Sequence, residues 1–97
     1  MAVLNQSEID LLLKEHSDWH LDSGKLVREW SFKDFIGAMV FVNRVAELAE
    51  SSGHHPDIDI RYNKVRLGLI SHDAGGITTR DAKMAARLSR ELARAET

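Results

Sequence analysis

A long helical segment, residues 33–52, limits the possible folds of this chain more than any other feature. Its apolar residues recur at steps of three and four, and few polar side chains interrupt the apolar surface: Asn43, Arg44, Glu47 and Glu50. A helix that is apolar over most of its circumference is expected at the centre of a fold, covered on two sides. Gly53 is a natural residue for the helix end, and Pro56 follows shortly after it.

Two β-hairpins are predicted on either side of this helix. The first joins residues 19–22 to residues 26–32 through a turn at 22–25 that contains Gly24. The second joins residues 57–62 to residues 65–72 through Asn63 and Lys64. Alternation in the second hairpin directs these side chains to the covered face: Ile58, Ile60, Tyr62, Val65, Leu67 and Leu69. The alternation leaves the other face of the hairpin exposed to solvent, which favours an antiparallel sheet.

A shorter helix is expected at each end of the chain. Ser7 is expected to cap the first helix, with Asp10 three residues later. Thr78 is expected to cap the last, with Asp81 at its third position. The buried stripe of the last helix is predicted to contain Met84, Ala85, Leu88 and Leu92.

The element order is therefore α-β-β-α-β-β-α. We predict an α+β fold that forms one domain over residues 1–97, a two-layer sandwich with a four-stranded antiparallel sheet and three helices on one face. A chain of 97 residues has room for one such domain.

Composition excludes several classes of function. The chain has no cysteine, which excludes disulfides, thiolate nucleophiles and cysteine metal sites, and fits the cytoplasm. A net charge of −2 argues against a broad basic surface that binds nucleic acid electrostatically. No apolar run approaches the roughly 20 residues that span a membrane, and the first residues do not resemble a signal peptide.

The residues most indicative of chemistry are three of the five histidines, His54, His55 and His72. Histidine can donate and accept a proton near neutral pH. Pro56 favours an extended backbone at His55, so His54 and His55 are expected to point to opposite sides. Glu50, four residues before His54, would be its neighbour if the helix continued, and its carboxylate could orient the imidazole.

Each of these residues also has a simpler explanation. The three histidines and Glu50 could be solvent-exposed, Asp81 could serve only as a helix cap, and Trp19 and Tyr62 could be core residues. Three histidines could also hold zinc, but no HExxH pattern or other short metal motif is present, and we expect no metal and no cofactor.

The spacing of these residues resembles the signature of the pterin-4a-carbinolamine dehydratases. The pattern runs from Glu50 through His54-His55-Pro56 to Tyr62, His72 and Asp81. The surrounding residues are also similar to the family at 30–35, 62–65, 71–73, 75–76 and 80–81. The resemblance covers almost the whole chain and implies the same α-β-β-α-β-β-α sandwich. It departs from the family at Ala74, where some members carry cysteine or glutamate, and we expect this to alter only pocket detail.

The resemblance implies dehydration of 4a-hydroxytetrahydropterin to the quinonoid dihydropterin, the step that regenerates the cofactor of the aromatic amino acid hydroxylases. It implies acid-base roles for His54, His55 and His72, without deciding which is acid and which is base. It places five residues at the pterin and three in support of the site: Pro56, Ser71, Asp73, Ala74 and Trp19, then Glu50, Arg80 and Asp81.

Two other functions stay open at this point. Some family members act as dimerisation partners of a homeodomain transcription factor, so a protein-binding module without catalysis is one alternative. A related pterin or molybdopterin-like ligand, bound but not converted, is another. The family forms dimers and tetramers, which makes a homodimer or homotetramer the expected assembly.

Overall fold

The computed structural model describes residues 2–92. It contains three helices and four strands in the predicted order: α1 (Gln6–Glu15), β1 (His20–Asp22), β2 (Lys25–Ser31), α2 (Phe35–Ser52), β3 (Asp57–Arg61), β4 (Lys64–Leu69) and α3 (Thr79–Leu92). The strands form one antiparallel sheet with the order β1-β2-β4-β3, so the two hairpins meet along β2 and β4. The predicted α+β fold is confirmed.

The core lies between the sheet and the helices. On β4, Val65, Leu67 and Leu69 are fully buried, as the alternation predicted. Trp30 of β2 packs against Phe41 of α2, with ring centroids 4.8 Å apart and ring planes tilted by 44°. The predicted stripe of α3 is also buried. Apolar contact between the two layers therefore fixes α2 and α3 on the sheet.

The cap of α1 differs from the prediction. Asn5, not Ser7, is the capping residue, because its side-chain oxygen accepts the Glu8 backbone N–H and the Glu8 carboxylate accepts the N–H of Asn5. This reciprocal pair is a capping box, and it places the helix start two residues earlier than the serine would.

The prediction that α2 is covered on two sides is wrong for the single chain. One face, which includes Phe41 and Val45, is buried. The opposite face is open, and Ile36 and Val40 are 73% and 58% exposed. An apolar periodicity predicts that a helix face is suited to burial, but it does not predict whether the same chain or another molecule buries it.

The second hairpin turns one residue earlier than predicted. Tyr62 adopts a positive φ of 53° and lies in the turn with Asn63, where it is 65% exposed. Lys64 already belongs to β4. Because β3 is an edge strand, Ile58 is only partly covered.

The end of β4 also differs from the prediction of a strand to His72. The strand stops at Leu69, and Ser71 pairs with Gly76 in an isolated bridge. Within residues 2–92, no helix is long and apolar enough to cross a membrane.

Candidate active site

The candidate site begins where α2 ends. Gly53 takes a left-handed conformation with φ of 67°, and its N–H still bonds back to the helix. A residue with a Cβ is disfavoured in this conformation, which explains the glycine. The next N–H, of His54, donates to the Ala49 carbonyl at 3.3 Å. The chain therefore leaves the helix with His54 tied to its last turn.

Asp81 is the buried residue that accepts hydrogen bonds from several groups of the site. It lies at the third position of α3, and its side chain is fully buried. Oδ2 accepts the Thr78 backbone N–H and the Ser71 hydroxyl, both at 2.9 Å. The Thr78 hydroxyl in turn accepts the N–H of Arg80 at 3.2 Å, as expected for a cap. Asp81 is thus the predicted capping acid, and it also has a partner outside its helix.

That partner is His54. Its Nε2 lies 2.5 Å from Oδ1 of Asp81, and the imidazole side chain is 13% exposed. An ionised carboxylate only accepts hydrogen bonds, so Nε2 carries the hydrogen and donates it. The other ring nitrogen, Nδ1, is then the one that can exchange a proton with a ligand. The pair holds one tautomer and one orientation of the ring.

His55 has a different partner. Its Nε2 pairs with the Glu50 carboxylate, and both side chains are mostly exposed. The expected neighbour of Glu50 was His54, but the left-handed residue Gly53 ends the helix before position 54 and places His55 beside the acid. The two adjacent histidines therefore have separate partners, as the extended backbone before Pro56 predicted.

The loop from Ser71 to Gly76 holds the third histidine. The Ser71 carbonyl accepts the N–H groups of Ala74 and Gly75, both at 3.0 Å, which closes the loop tightly. The Ser71 side chain is buried on Asp81, while His72 is exposed. Ser71 and His54 share the Asp81 carboxylate, so the backbone of His72 is one residue from the site. Whether the rings of His54, His55 and His72 meet at one ligand stays a prediction.

An ion pair ties this loop to α3. The Arg80 guanidinium donates to the Asp73 carboxylate at 2.5 Å. This hydrogen bond lowers the pKa of Asp73 below its ordinary value. Both residues were expected near the site, and the structure joins them.

A cleft of about 280 Å³ lies beside His54. It is lined by the last residue of α2, one residue of the segment that follows it and four residues of α3: Ser52, His54, Arg80, Lys83, Met84 and Arg87. A larger depression of about 390 Å³ on the outer face of the sheet is lined by Glu29, Asp59, Arg61, Lys64 and Arg66. This depression is lined by no histidine, and its two acids, Asp59 and Glu29, pair with Arg61 and Arg66. The cleft at His54 is therefore the better candidate for proton chemistry.

The remaining predicted site residues lie at varied depths. Trp19 is 3% exposed, and its indole N–H donates to the Ser89 hydroxyl at 2.9 Å, so in the single chain it packs in the core. Pro56 and Ala74 are half-buried. The Ser71 hydroxyl already bonds to Asp81 and Thr78, which makes it part of the support of the site.

Four lining residues were not predicted to belong to the site: Ser52, Lys83, Met84 and Arg87. The spacing of Arg80, Lys83 and Arg87 at i, i+3 and i+7 places them on one side of a helix, and that signal was available. Thr78 was recognised as a cap but not as a partner of Ser71. Within the described part of the chain, no three His, Asp or Glu side chains gather as a metal site.

Comparisons with known proteins identify the family of the chain. The family model described as pterin 4 alpha carbinolamine dehydratase matches residues 2–91. The chain belongs to this family.

Relatives in the pterin 4 alpha carbinolamine dehydratase family resemble the chain along most of its length. Two curated relatives are named "Putative pterin-4-alpha-carbinolamine dehydratase". The one from Thermomicrobium roseum is 55% identical over 93 residues, which cover 96% of this chain and 99% of the relative. The one from Acidobacterium capsulatum is 52% identical and covers 91% and 96%.

Solved structures share the fold of this dehydratase family member. The protein from Brucella melitensis, described as a transcriptional coactivator/pterin dehydratase, matches with a TM-score of 0.83 and 33% identity over 91% of this chain and 96% of that one. A pterin dehydratase-like protein described as a RuBisCO assembly factor in the alpha-carboxysome matches with a TM-score of 0.59 and 22% identity over 74% and 83%. The latter supports the fold alone.

Proposed function

We propose that the protein dehydrates a 4a-hydroxytetrahydropterin to the quinonoid dihydropterin and water. The family supports the substrate class. The single observation that carries the proposal is the imidazole of His54, which lines a cleft and is held by the fully buried carboxylate of Asp81. A histidine with one nitrogen anchored and the other available is suited to proton transfer.

The reaction needs two proton transfers and no electron transfer. The C4a–O bond breaks and the oxygen leaves as water after it receives a proton. The N5–H proton is lost, and its electron pair forms the C4a=N5 double bond. A general acid at the oxygen and a general base at N5 are therefore sufficient, and positioned acid-base catalysis gives roughly 10²- to 10⁴-fold acceleration.

We assign the proton transfers mainly to His54 and His72, and binding of the substrate to His55. His54 is supported by its anchored ring, and His72 by its position one residue after Ser71, which shares the carboxylate of Asp81 with His54. The pairing of His55 with Glu50 keeps that ring at the surface beside Pro56, where it can bind and polarise a ligand.

The test is a dehydration assay on freshly generated 4a-hydroxytetrahydropterin. His54→Ala and His72→Ala should each lower turnover by at least about 100-fold and leave the far-ultraviolet circular dichroism unchanged. His20→Ala, an exposed strand residue, is the matched control and should be fully active. Full activity in both variants would refute the assignment. No turnover by the unaltered protein would favour a binding module without catalysis.

We also propose that the protein works as a homodimer or homotetramer, as the family resemblance implies. The support is the open apolar face of α2, because exposed apolar patches often mark sites of association. Sedimentation velocity should show an assembly that Ile36→Lys weakens. A monomer at micromolar concentration, with the dehydratase activity intact, would refute it.

A further inference from the structure

The cleft beside His54 has an unusual distribution of charge. Arg80, Lys83 and Arg87 line one wall, spaced so that they follow one side of α3. Ser52 and His54 also line the cleft, where the Ser52 hydroxyl accepts a hydrogen bond from Arg87 at 2.5 Å, and Met84 supplies an apolar contact. Among residues 2–92, no carboxylate lines the cleft. The cleft therefore offers positive charge, hydrogen-bond donors and one titratable imidazole.

The carboxylates that accompany these cations lie outside the lining. Arg80 pairs with Asp73 at 2.5 Å and Arg87 pairs with Glu91 at 2.7 Å. Both acids are more than a third exposed, so each pair contributes little and either arginine can take another partner. If either arginine bound a ligand instead, the carboxylate that it left would be exposed to solvent and not a buried, unpaired charge.

Two hydrogen-bond donors that line the cleft are not fully paired. Within residues 2–92, Lys83 forms no ion pair closer than 4 Å, and the buried Nε–H of Arg80 has no hydrogen-bond partner. A buried donor without a partner is unfavourable. A ligand that covers this wall would have to satisfy these groups.

A neutral pterin does not fit this wall well. Covering Lys83 with a neutral side chain removes water from its ammonium group and returns no opposite charge, which is unfavourable. A phosphate or carboxylate restores charge-assisted hydrogen bonds, and lysine and arginine are the usual partners of both groups. Because His54 lies in the same cleft, a ligand whose ring reaches this imidazole can direct a substituent along α3.

We propose that the substrate of this cleft is a reduced pterin whose side chain carries an anion, a phosphate ester or a carboxylate, with the ring at His54 and the anion at Lys83 and Arg87. This inference rests on the proposed function, because it names the substrate class of that same site. It assigns Lys83 and Arg87 a role in substrate selection, separate from proton transfer.

Equilibrium binding tests the inference without requiring turnover. Three oxidised pterins serve as probes in isothermal titration: neutral 6-hydroxymethylpterin, its phosphate monoester and 6-carboxypterin. At low salt, at least one anionic probe should bind about tenfold more tightly than the neutral one, and the preference should shrink at high salt. Comparison of the two anionic probes distinguishes phosphate from carboxylate.

Variants at one position locate the preference. Lys83→Gln should reduce the ratio of anionic to neutral affinity by about fivefold or more, and Lys83→Arg should restore it. Lys33→Gln, an exposed lysine outside the cleft, is the matched control and should keep the ratio of the unaltered protein. Lys83 is exposed, so these changes should leave the fold intact, which circular dichroism checks.

Each result decides between the proposals. Equal affinity for all three probes, or a ratio that Lys83→Gln does not change, overturns the anionic substrate. Dehydration of a neutral 4a-hydroxytetrahydropterin that depends on His54 would leave the proposed function standing in that case. Failure of every probe to bind, together with no turnover, overturns both.

Discussion

His54 and Asp81 lie 27 positions apart in the sequence, yet Nε2 of one is 2.5 Å from Oδ1 of the other. The histidine belongs to the segment after α2, and the aspartate caps α3. Their bond joins two helices that pack on the same sheet. The cap of one helix thereby sets the orientation of a side chain that follows another.

Asp81→Asn should affect both activity and stability. The amide cannot accept all three donors as the carboxylate does, so His54 loses its anchor and a buried donor loses its partner. We expect dehydration to slow by at least about tenfold and the free energy of unfolding to fall by about 2–4 kcal/mol. Initial rates and urea denaturation measure the two effects. Asp10→Asn, at an exposed position of α1, is the control. An unchanged rate would contradict the role of the pair.

Glu50→Gln should affect activity without affecting stability. Its pair with His55 is exposed, and exposed ion pairs contribute at most about 1 kcal/mol. The loss of the carboxylate frees the His55 ring, so we expect an increase of a few-fold in KM with little change in the urea midpoint. Glu47→Gln, one turn earlier on the same helix, should change neither quantity. Equal kinetics for the two variants would show that Glu50 does not position His55.

Gly53→Ala should displace the histidine pair. A Cβ is strained at φ of 67°, and a left-handed non-glycine residue costs roughly 1–2 kcal/mol. Gly24 has φ of 79° in the first hairpin turn, with open space around it, so Gly24→Ala is a matched control for strain alone. We expect similar losses in unfolding free energy for both variants but a loss of dehydratase activity only for Gly53→Ala. If Gly53→Ala and Gly24→Ala lost dehydratase activity to the same extent, the result would argue against a local effect on His54 and His55.

Gly76→Ala should clash with the start of the chain. A Cβ at position 76 would lie 2.8 Å from Cγ1 of Val3, and the adjacent Leu4 N–H donates to the Ile77 carbonyl at 2.8 Å. Crowding of this kind typically costs about 1–3 kcal/mol. Val3→Ala in the same chain should recover most of the loss, so a double-mutant cycle in urea measures the contact. Additive effects of the two changes would show that Val3 and Gly76 do not interact.

Acid should weaken the loop that carries His72. Because the Arg80 guanidinium holds the pKa of Asp73 below its ordinary value, the pair stabilises the folded state at pH values above the unfolded pKa, about 3.9. The contribution is lost as the pH falls through the lower folded pKa. Amide hydrogen exchange of Ala74 and Gly75 should therefore rise below pH 4 in excess of the intrinsic rate. Asp73→Asn should show faster exchange already at pH 6, with less further change in acid. The same protection at pH 6 in both proteins would contradict this.

Most local elements were predictable because their signals are local. The helical period of residues 33–52, the alternation of Val65, Leu67 and Leu69, and the cap at Thr78 each depend on neighbours within a few residues. Two of the errors lie where two local signals compete. Asn5 and Ser7 are both good caps, and Glu8 decides between them by completing the capping box. Tyr62 continues the apolar alternation of β3 in the sequence, but in the structure it lies in the tight turn after the strand.

The sequence by itself determined the element order and most of the residues that face the core, because both are encoded in short-range patterns of apolar, polar and turn-forming residues. The spacing of the polar residues from Glu50 to Asp81 indicated the family by its resemblance to a known signature. Only the tertiary structure decided that Asp81 reaches His54, that Glu50 pairs with His55, that the Ser71 hydroxyl is engaged in the interior, and that Lys83 and Arg87 line the cleft at His54. The physical reason is that these contacts join side chains from different elements. Their distances depend on how α2 and α3 pack against the sheet and on the turn that Gly53 makes, and no periodicity along the chain specifies either.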